Sequence, residues 1–256
     1  MSSPRSIRVV GPGRAGSSLS DALSLAGWIV HEPIRRGDDV TRAALGVDVV
    51  IIATPDAAIA EVASLIEPVP TTVVAHLAGS LGLDVLGDHP MRAAVHPLVA
   101  LPDQETGSLR LRSRAWFAVA ANGSEAIDLI DELVTALGGR SFVVADDQRA
   151  EYHAAAVIAS NHLVALLGQV ERVAARAGIP FDAFIELAQS TIDNVTQLGP
   201  TAALTGPAAR GDWATIERHR DVLPEDELEA YDALMRAARR LVDGAVRGND
   251  GPSDND

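Results

Sequence analysis

The residues with the clearest chemical spacing lie near the start of the chain, in "VVGPGRAG" at 9–16. Gly11, Gly13 and Gly16 form a Gly-x-Gly-x-x-Gly pattern. Between a strand and a helix, such glycines permit a tight turn, close approach of the backbone to a pyrophosphate, and close helix–strand packing. Elsewhere the same pattern would indicate only a glycine-rich turn, because glycine marks turns for steric reasons. The neighbouring elements therefore decide the interpretation.

Those neighbouring elements favour a phosphate cradle. "IRVV" at 7–10 predicts a short buried strand, and "SSLSDALSLAG" at 17–27 has the apolar spacing of a helix. The start of that helix would offer free N–H groups and the positive end of its dipole to phosphates. A later apolar strand, "VDVVIIATP", should bring Thr54 and Pro55 beside the adenosine or ribose. The predicted cofactor-binding residues are Gly11, Pro12, Gly13, Arg14, Ala15, Gly16, Arg35, Arg36, Thr54 and Pro55.

The end of the second predicted strand, "HEPIRRGDD", bears on which dinucleotide is bound. An acid at this point commonly binds a free ribose 2′-hydroxyl, and Glu32 could do so, but it falls inside the strand. Arg35 and Arg36 fall where the strand meets its loop, and guanidinium groups suit a 2′-phosphate. We therefore predict NADP, with NAD less favoured. The alternative is a solvated arginine pair neutralised by Asp38 and Asp39.

Three polar residues follow the next predicted strands. His76 and Ser80 come after the fourth strand, and His96 lies at the end of the fifth. Reduction of a carbonyl or imine by a nicotinamide needs a proton donor at the accepting atom, and an imidazole can serve at neutral pH. We predict His96 and His76 as the first catalytic candidates, with Ser80 beside them. Either histidine could instead be a strand-end residue bonded to backbone.

A long helix predicted from about residue 147 carries a second polar group. The group consists of Tyr152, His153, Ser160 and Asn161. The middle of the helix, 154–167, is otherwise apolar almost all round, which predicts burial. His153 and Ser160 are two helical turns apart and share a face. Asn161 could bind the substrate or the nicotinamide carboxamide, or it could join two domains through the backbone. We predict catalytic roles for Asn161 and His153, and substrate binding for Ser160.

A third group lies in "LTGPAARGD" at 204–212. Thr205 and Gly206 begin a turn whose N–H groups could meet an anion, and Arg210 could bind a substrate carboxylate in bidentate fashion. An ion pair within the loop is the alternative for Arg210. Asp212 is better explained as the N-cap of the helix that starts at Trp213.

Strand and helix signals alternate as far as residue 145, which predicts an α/β fold with a doubly wound parallel Rossmann-like sheet. Only helices are predicted afterwards, at 181–197, 212–222 and 225–246. The predicted organisation is a dinucleotide-binding domain at 1–146, an α-helical substrate and dimerisation domain at 147–247, and a disordered tail at 248–256. "SLRLRSR" at 108–114 alternates like an edge strand with solvated arginines.

Composition narrows the class of partner. The 256 residues include no cysteine and carry a formal net charge of −14, which fits a reducing compartment and opposes nucleic-acid binding. No signal-peptide or membrane-spanning pattern is apparent, the histidines lack zinc-helix spacing, and no Gly-x-Ser-x-Gly elbow occurs. We expect a cytoplasmic protein with a small-molecule substrate, no metal and no membrane partner. A helix buried on most sides further suggests a homodimer.

Four strings in fixed order point to a family: "HLAGSLGLDVL" (76–86), "AVHPLVAL" (94–101), "YHAAAVIASNHLVALL" (152–167) and "LTGPAARGDWATIERH" (204–219). Over about 7–245 the chain resembles bacterial proteins that join a Rossmann-like domain to a helical domain of unknown function. Their layout is similar to that of pyrroline-5-carboxylate reductase, ketopantoate reductase, the deazaflavin-dependent NADP reductases and the 6-phosphogluconate dehydrogenase superfamily. The resemblance implies an NADP-binding domain followed by an all-α, 6-phosphogluconate-dehydrogenase-like domain that often forms dimers.

The function expected from residues and resemblance together is NADP(H)-dependent reduction of a small carbonyl or imine that bears a carboxylate. By analogy of layout alone, a 2-oxo acid such as ketopantoate is the first substrate candidate and pyrroline-5-carboxylate the second. The chain departs from the hydroxyacid dehydrogenases, whose catalytic helix reads Gly-x-x-x-Lys-x-x-x-Asn, because Val157 stands four residues before Asn161. The alternative function is therefore a non-catalytic dinucleotide sensor or regulatory dimer.

Overall fold

A computed structural model describes residues 3–249 of the chain. The chain divides into two compact units, the first ending at Asn161 and the second beginning at His162. This division falls further along than the predicted domain boundary after residue 146. It does so because the first turns of the long helix belong with the sheet, where Tyr152 contacts His96 and Phe142.

The first unit is built on a seven-stranded sheet in the order β2-β1-β3-β4-β5-β6-β7. Its strands are β1 (Ser6–Val10), β2 (Ile29–Val30), β3 (Val49–Ile52), β4 (Val73–His76), β5 (Met91–Pro97), β6 (Trp116–Ala121) and β7 (Arg140–Val143). The chain passes from β1 to β2 on one side and then to β3 on the other, so the sheet has a switch point between β1 and β3. The predicted Rossmann-like α/β fold is confirmed.

One pair departs from the predicted parallel sheet: β5 and β6 run antiparallel, with His96 opposite Ala118. The segment between them holds α3 (Gln104–Leu111), not the edge strand predicted at 108–114. A helix of 8 residues is about 12 Å long, which is too short to carry the chain back along β5. The chain therefore re-enters at the end of β5, where Leu98 N–H donates to Trp116 O at 2.8 Å.

Helices cover both faces of the sheet. They include α1 (Arg14–Leu25), α2 (Asp56–Leu65) and α4 (Ser124–Ala136), each beginning after a strand. Along β3 the alternate pairs Val49/Ile51 and Val50/Ile52 enter two separate apolar cores, and all four side chains are fully buried. The continuous apolar run of this strand is thus explained by two covered faces.

The predicted long helix is a helical run interrupted by a π turn. A 3-10 turn at Asp146–Gln148 precedes α5 (Arg149–Val157), the π segment Ile158–His162 and α6 (Leu163–Arg176). The prediction that 154–167 is buried is wrong for the single chain, because Ile158 and Val164 are 59% and 71% exposed. Among the described residues, this is the one run whose length and composition would let a helix cross a membrane, a criterion that helices of soluble proteins also meet.

Over its described residues the second unit is helical, as the sequence after residue 147 predicted. After α6 come α7 (Phe181–Ala203), α8 (Pro207–Arg210), α9 (Trp213–Val222) and α10 (Glu225–Asn249). Gly199, at φ 77°, breaks α7 just before Pro200, close to the predicted end at 197. The predicted tail at 248–256 is helical as far as Asn249, and the rest of it lies outside the described residues.

Candidate functional site

A cleft of about 830 Å³ lies at the carboxyl edge of the sheet, over the switch point between β1 and β3. Its walls come from the glycine-rich turn after β1, the segment after β2, and the start of α2. The lining includes Gly11, Pro12, Gly13, Arg35, Arg36, Thr54 and Pro55, all of them predicted cofactor-binding residues. Open α/β sheets bind their ligands at such a switch point.

At each of the three glycines of the turn, an added side chain would have a different steric consequence. Gly11 has φ +87°, and a Cβ there would lie 2.9 Å from Thr54 Cγ2. A Cβ on Gly16 would lie 2.7 Å from Gly11 O, so the helix and the turn could not approach as closely. A Cβ on Gly13 would meet no described atom within 4 Å, so it would occupy the open cleft itself. The space at Gly13 is therefore free for a ligand.

The N-terminus of α1 opens into the same turn. Gly13 is its N-cap, and within the described chain no side chain caps it. Ser17 Oγ donates to Pro12 O at 2.9 Å, and Gly11 N–H donates to Ile34 O at 2.9 Å, which fixes the turn against the segment after β2. The first-turn N–H groups, including those of Arg14 and Ala15, have no acceptor within the helix and can bind an anion.

The arginine pair borders the cleft, whereas Glu32 is exposed and does not line it. Asp38 Oδ2 accepts a hydrogen bond from the backbone N–H of Arg35 at 2.7 Å. Asp39 Oδ1 accepts from the N–H and hydroxyl of Thr41 at 2.9 and 2.6 Å. These bonds hold the pKa of Asp39 below its usual value. Both carboxylates thus stabilise the turn, and the guanidinium groups of Arg35 and Arg36 remain at the rim of the cleft.

Thr54 contributes a polar atom without a protein partner. Its Oγ1 is buried, and among the described residues it has no hydrogen-bond partner. A buried hydroxyl without a partner is costly, so this atom suits a ligand group in the cleft. Pro55 follows as the N-cap residue of α2, which no side chain in the described chain caps.

His76 has a structural position. It is fully buried at the end of β4, where its Nδ1 accepts from Ala78 N–H at 3.2 Å and its Nε2 donates to Gly82 O at 3.1 Å. Burial lowers its pKa, so the imidazole is neutral. Both ring nitrogens are bonded to backbone. His76 therefore matches the alternative prediction, a strand-end histidine that holds the loop after β4.

His96 has one ring nitrogen engaged by a side chain. At the end of β5 its Nδ1 lies 2.6 Å from the hydroxyl of Tyr152 on α5, and the two rings meet edge to face. The ring of His153 lies 5.9 Å from that of His96, centroid to centroid. Gly79 makes this convergence possible, since a Cβ there would lie 2.5 Å from His153 Cδ2 and 3.0 Å from His96 Nε2.

The environment keeps both members of the His96–Tyr152 pair neutral at pH 7. Burial, followed by the charges of His153 and Arg149, lowers the pKa of His96 to about 4. Burial raises the pKa of Tyr152 to about 12, although the Arg149 cation acts in the opposite direction. Instead of the predicted imidazole near its ordinary pKa, His96 is a neutral imidazole with a lowered pKa. His96 can donate a hydrogen bond from a neutral ring but is not an imidazolium acid.

A smaller pocket of about 380 Å³ adjoins His96. The chain after β5 forms one wall, and α5 with the π segment forms the other. The π turn brings Ser160 and Asn161 to this wall, where Ser160 Oγ lies 2.7 Å from Ala156 O and 2.9 Å from Asn161 Oδ1. Such turns often occur at functional sites. Four predicted residues line this pocket: His96, His153, Ser160 and Asn161.

The remaining predicted residues are not part of that wall. Ser80 Oγ is 3.4 Å from Asp56 Oδ2, at the start of α2. Thr205, Gly206 and Arg210 belong to the second unit, where Gly206 is the N-cap residue of α8, a helix of 4 residues. Asp212 caps α9 by accepting from Thr215 N–H at 3.1 Å, as predicted.

Sequence reasoning missed Arg149 and Gly79. Arg149 is fully buried beneath the loop after β4, with Nη1 3.5 Å from Ala78 O and Nε 3.7 Å from Asp146 Oδ1. The spacing of Arg149, Tyr152 and His153 at i, i+3 and i+4 places them on one helix face, so a signal was present. For Gly79, nothing in the sequence indicated two approaching imidazoles.

Comparisons with known proteins agree with this architecture. Residues 115–238 match the family described as a domain of unknown function, DUF2520. No curated protein sequence matches the chain. BF3122 from Bacteroides fragilis, named as a proposed NADP oxidoreductase, has a similar structure, with a TM-score of 0.79 and 22% identity over 93% of this chain and 98% of that one.

Two further solved structures share the fold. Protein TM1727 from Thermotoga maritima has a TM-score of 0.69 and 21% identity over 93% of this chain and 99% of that one. Plasmodium falciparum pyrroline carboxylate reductase, solved with NADP bound, has a TM-score of 0.62 and 12% identity over 93% and 98%. The resemblance to Rossmann-like proteins with a helical C-terminal domain is thus confirmed at the level of fold.

Proposed function

We propose that the chain is an NADP(H)-dependent oxidoreductase that reduces a small carbonyl or imine substrate. The observation that carries this proposal is the cleft at the switch point, where a glycine cradle, an uncapped helix and two rim arginines meet. The names of two structural relatives, the Bacteroides fragilis protein and the Plasmodium falciparum reductase, support NADP as the cofactor.

The cleft residues suit NADP(H) part by part. Gly13 leaves space for the pyrophosphate, and the N–H groups at the start of α1 would bind it. Thr54 Oγ1 would find a partner in the ribose region. Arg35 and Arg36 would bind a 2′-phosphate, which favours NADP over NAD because Glu32 does not line the cleft.

When bound, the reduced nicotinamide supplies a hydride. The contribution of this chain is to hold the substrate and to place a proton donor at the accepting oxygen or nitrogen. With Nδ1 bonded to Tyr152, His96 would carry its proton on Nε2 and donate it there. His153, Ser160 and Asn161, which line the same small pocket, would orient the substrate.

The carboxylate of the substrate belongs to this proposal as well. By similarity of domain layout, a 2-oxo acid such as ketopantoate is our first substrate candidate. Pyrroline-5-carboxylate is the second, and it is supported by the name of the Plasmodium falciparum relative. Arg210, with Thr205 and Gly206, is our candidate for binding the anion, because a guanidinium can bind a carboxylate in bidentate fashion. Arg210→Ala should then raise KM.

We further propose that the protein is a cytoplasmic homodimer. Several large apolar side chains of the second unit are exposed, among them Val164, Leu187, Ile192 and Leu198 at 71, 60, 52 and 59%. A second copy of the chain would remove such side chains from water, which favours association. Light scattering should give twice the 26.8 kDa chain mass; a chain-sized particle would contradict the dimer.

The second candidate function is a dinucleotide sensor without turnover. Val157, at the position where hydroxyacid dehydrogenases have lysine, is the observation in its favour. Such a protein would bind NADPH but oxidise it with no 2-oxo acid or cyclic imine.

Parallel fluorescence titrations with NADPH and NADH test the proposal. We expect micromolar NADPH binding and weaker NADH binding. Arg35→Ala with Arg36→Ala should weaken NADPH binding at least tenfold while leaving NADH binding unchanged, because only the 2′-phosphate contact is lost. Arg42→Ala, which removes a nearby arginine outside the cleft lining, is the matched control. If neither nucleotide bound, the proposal that the chain is an oxidoreductase would be overturned.

A further inference from the structure

Two side chains on one face of α5, Arg149 and Tyr152, lead to His96 at the end of β5. The hydroxyl of Tyr152 is 2.6 Å from His96 Nδ1, and Arg149 lies one turn earlier on α5. Within the described chain, the buried Arg149 Nε and Nη2 have no hydrogen-bond acceptor. Its nearest carboxylate, Asp146, is 3.7 Å from Nε.

A neutral imidazole is a poor proton donor when it acts alone. Loss of the Nε2 proton would leave an imidazolate, which is far too basic to form at neutral pH. The transfer becomes feasible if Nδ1 accepts a proton at the same time, because the ring then stays neutral. In this structure the group at Nδ1 is a phenol, and a phenol has such a proton.

Arg149 explains how this phenol could release a proton in a buried place. Burial alone disfavours the phenolate and raises the pKa of Tyr152, whereas the Arg149 cation favours it. A fully buried guanidinium whose Nε and Nη2 have no hydrogen-bond acceptor among the described residues is itself costly and would gain from a nearby negative charge. The two costs offset each other when the phenolate forms.

We propose that Tyr152 supplies the proton of the reduction through His96, and that Arg149 stabilises the resulting phenolate. This inference rests on the proposed function. The substrate carbon gains the hydride of NADPH, which is oxidised to NADP⁺, and the C=O or C=N π pair moves to the heteroatom. The heteroatom takes the Nε2 proton, Nδ1 takes the phenol proton, and the phenolate later recovers a proton from water. Neither Tyr152 nor Arg149 touches the substrate: Tyr152 acts through His96, and Arg149 acts through Tyr152.

The first test needs neither cofactor nor turnover. Histidine-selective ¹⁵N labelling, with His96 assigned by loss of its signal in His96→Gln, reports which ring nitrogen carries the proton. We expect the Nε2–H tautomer between pH 6 and 9, and a mixture of tautomers in Tyr152→Phe. Tyr231→Phe is the matched control, because its hydroxyl contacts His219 Nδ1 at 2.8 Å in the second unit. An Nδ1–H tautomer in the native protein would overturn the relay, whether or not any substrate is found.

The second test follows NADPH oxidation with the 2-oxo acid or cyclic imine that gives turnover. Tyr152→Phe should lower kcat by about 10²–10⁴-fold, with NADPH affinity and KM nearly unchanged. Arg149→Met should lower kcat, and Arg149→Lys should restore part of it by keeping the charge; Tyr231→Phe should retain the native kcat. A kcat of Tyr152→Phe within threefold of native would overturn the relay but leave the reductase proposal standing. Absent nucleotide binding would instead overturn the reductase proposal and, with it, the relay.

Discussion

The chain contains two tyrosine–histidine pairs, one in each compact unit, and their internal geometry is almost the same. In each, the tyrosine hydroxyl meets Nδ1 of the histidine, at 2.6 Å for Tyr152–His96 and 2.8 Å for Tyr231–His219. The rings meet edge to face in both, at 82°. Their distances and ring angles alone would therefore assign the two pairs the same role.

Their surroundings differ, and the difference is chemical. Tyr152 has the buried Arg149 cation beside it, which favours a phenolate, while the negative charge of Asp232 adds to burial in raising the pKa of Tyr231. His219 is exposed, whereas His96 is shielded by Gly79 and His153. The neighbouring charges and burial, more than the hydrogen bond, therefore set what a tyrosine–histidine pair can do.

The largest effect expected from this difference is on stability below neutral pH. The folded pKa of His96 lies at about 4, below the unfolded value near 6.5. The unfolded chain therefore takes up a proton first, so stability is fully present above pH 6.5 and is lost as pH falls towards 4. The loss is roughly 3 kcal/mol, and His76, whose pKa is also lowered, acts in the same direction.

Urea unfolding of His96→Gln and His219→Gln between pH 7.5 and 4.5 measures this loss. His96→Gln should flatten the pH dependence, because the residue that resists protonation is gone. His219→Gln, at an exposed histidine that also meets a tyrosine hydroxyl, is the matched control. Parallel slopes for all three proteins would contradict the buried, neutral state of His96.

A smaller effect is expected from filling the space at Gly79. In Gly79→Ala, the added Cβ would lie 2.5 Å from His153 Cδ2, so the loop or the rings must move, at a cost of about 1–3 kcal/mol. Gly168→Ala in α6 is the control, since its Cβ would meet only Arg172 Nη1 at 3.5 Å. There, helix propensity should give a gain of up to about 1 kcal/mol. Thermal unfolding compares the two, and equal changes would mean that the imidazoles do not depend on Gly79.

Much of the first unit could be predicted from the sequence because its signals are local. Gly11 and Gly16 stand where a side chain would clash with a neighbouring segment, as their spacing predicted, and the continuous apolar run of β3 indicates two covered faces. The cap at Asp212 is likewise local. The direction of β6 was not predictable in this way, because it depends on how far the short α3 carries the chain.

The candidate active site was only partly predictable for a related reason. His96, His153, Ser160 and Asn161 were selected by residue type and position, and the structure brings them to one pocket. What separates His96 from His76 is their hydrogen-bond partners: His76 is bonded to backbone atoms of the loop that follows it, whereas Tyr152 reaches His96 from a distant helix. The lack of a hydrogen-bond acceptor for Arg149 Nε and Nη2 among the described residues is also a property of packing, which no spacing in the sequence reveals.

The most direct test of the central claim is a histidine-selective ¹⁵N NMR titration of the native protein with NADPH. If the cleft and the His96 pocket serve one reaction, saturating NADPH should shift the ring signals of His96. The signal of His89, which is buried before β5 at the opposite edge of the sheet and bonded to Ala63 O at 3.0 Å, should stay unchanged. A saturable NADPH interaction that leaves the His96 signal unmoved would contradict the account, because the cofactor would then bind away from the proposed proton donor.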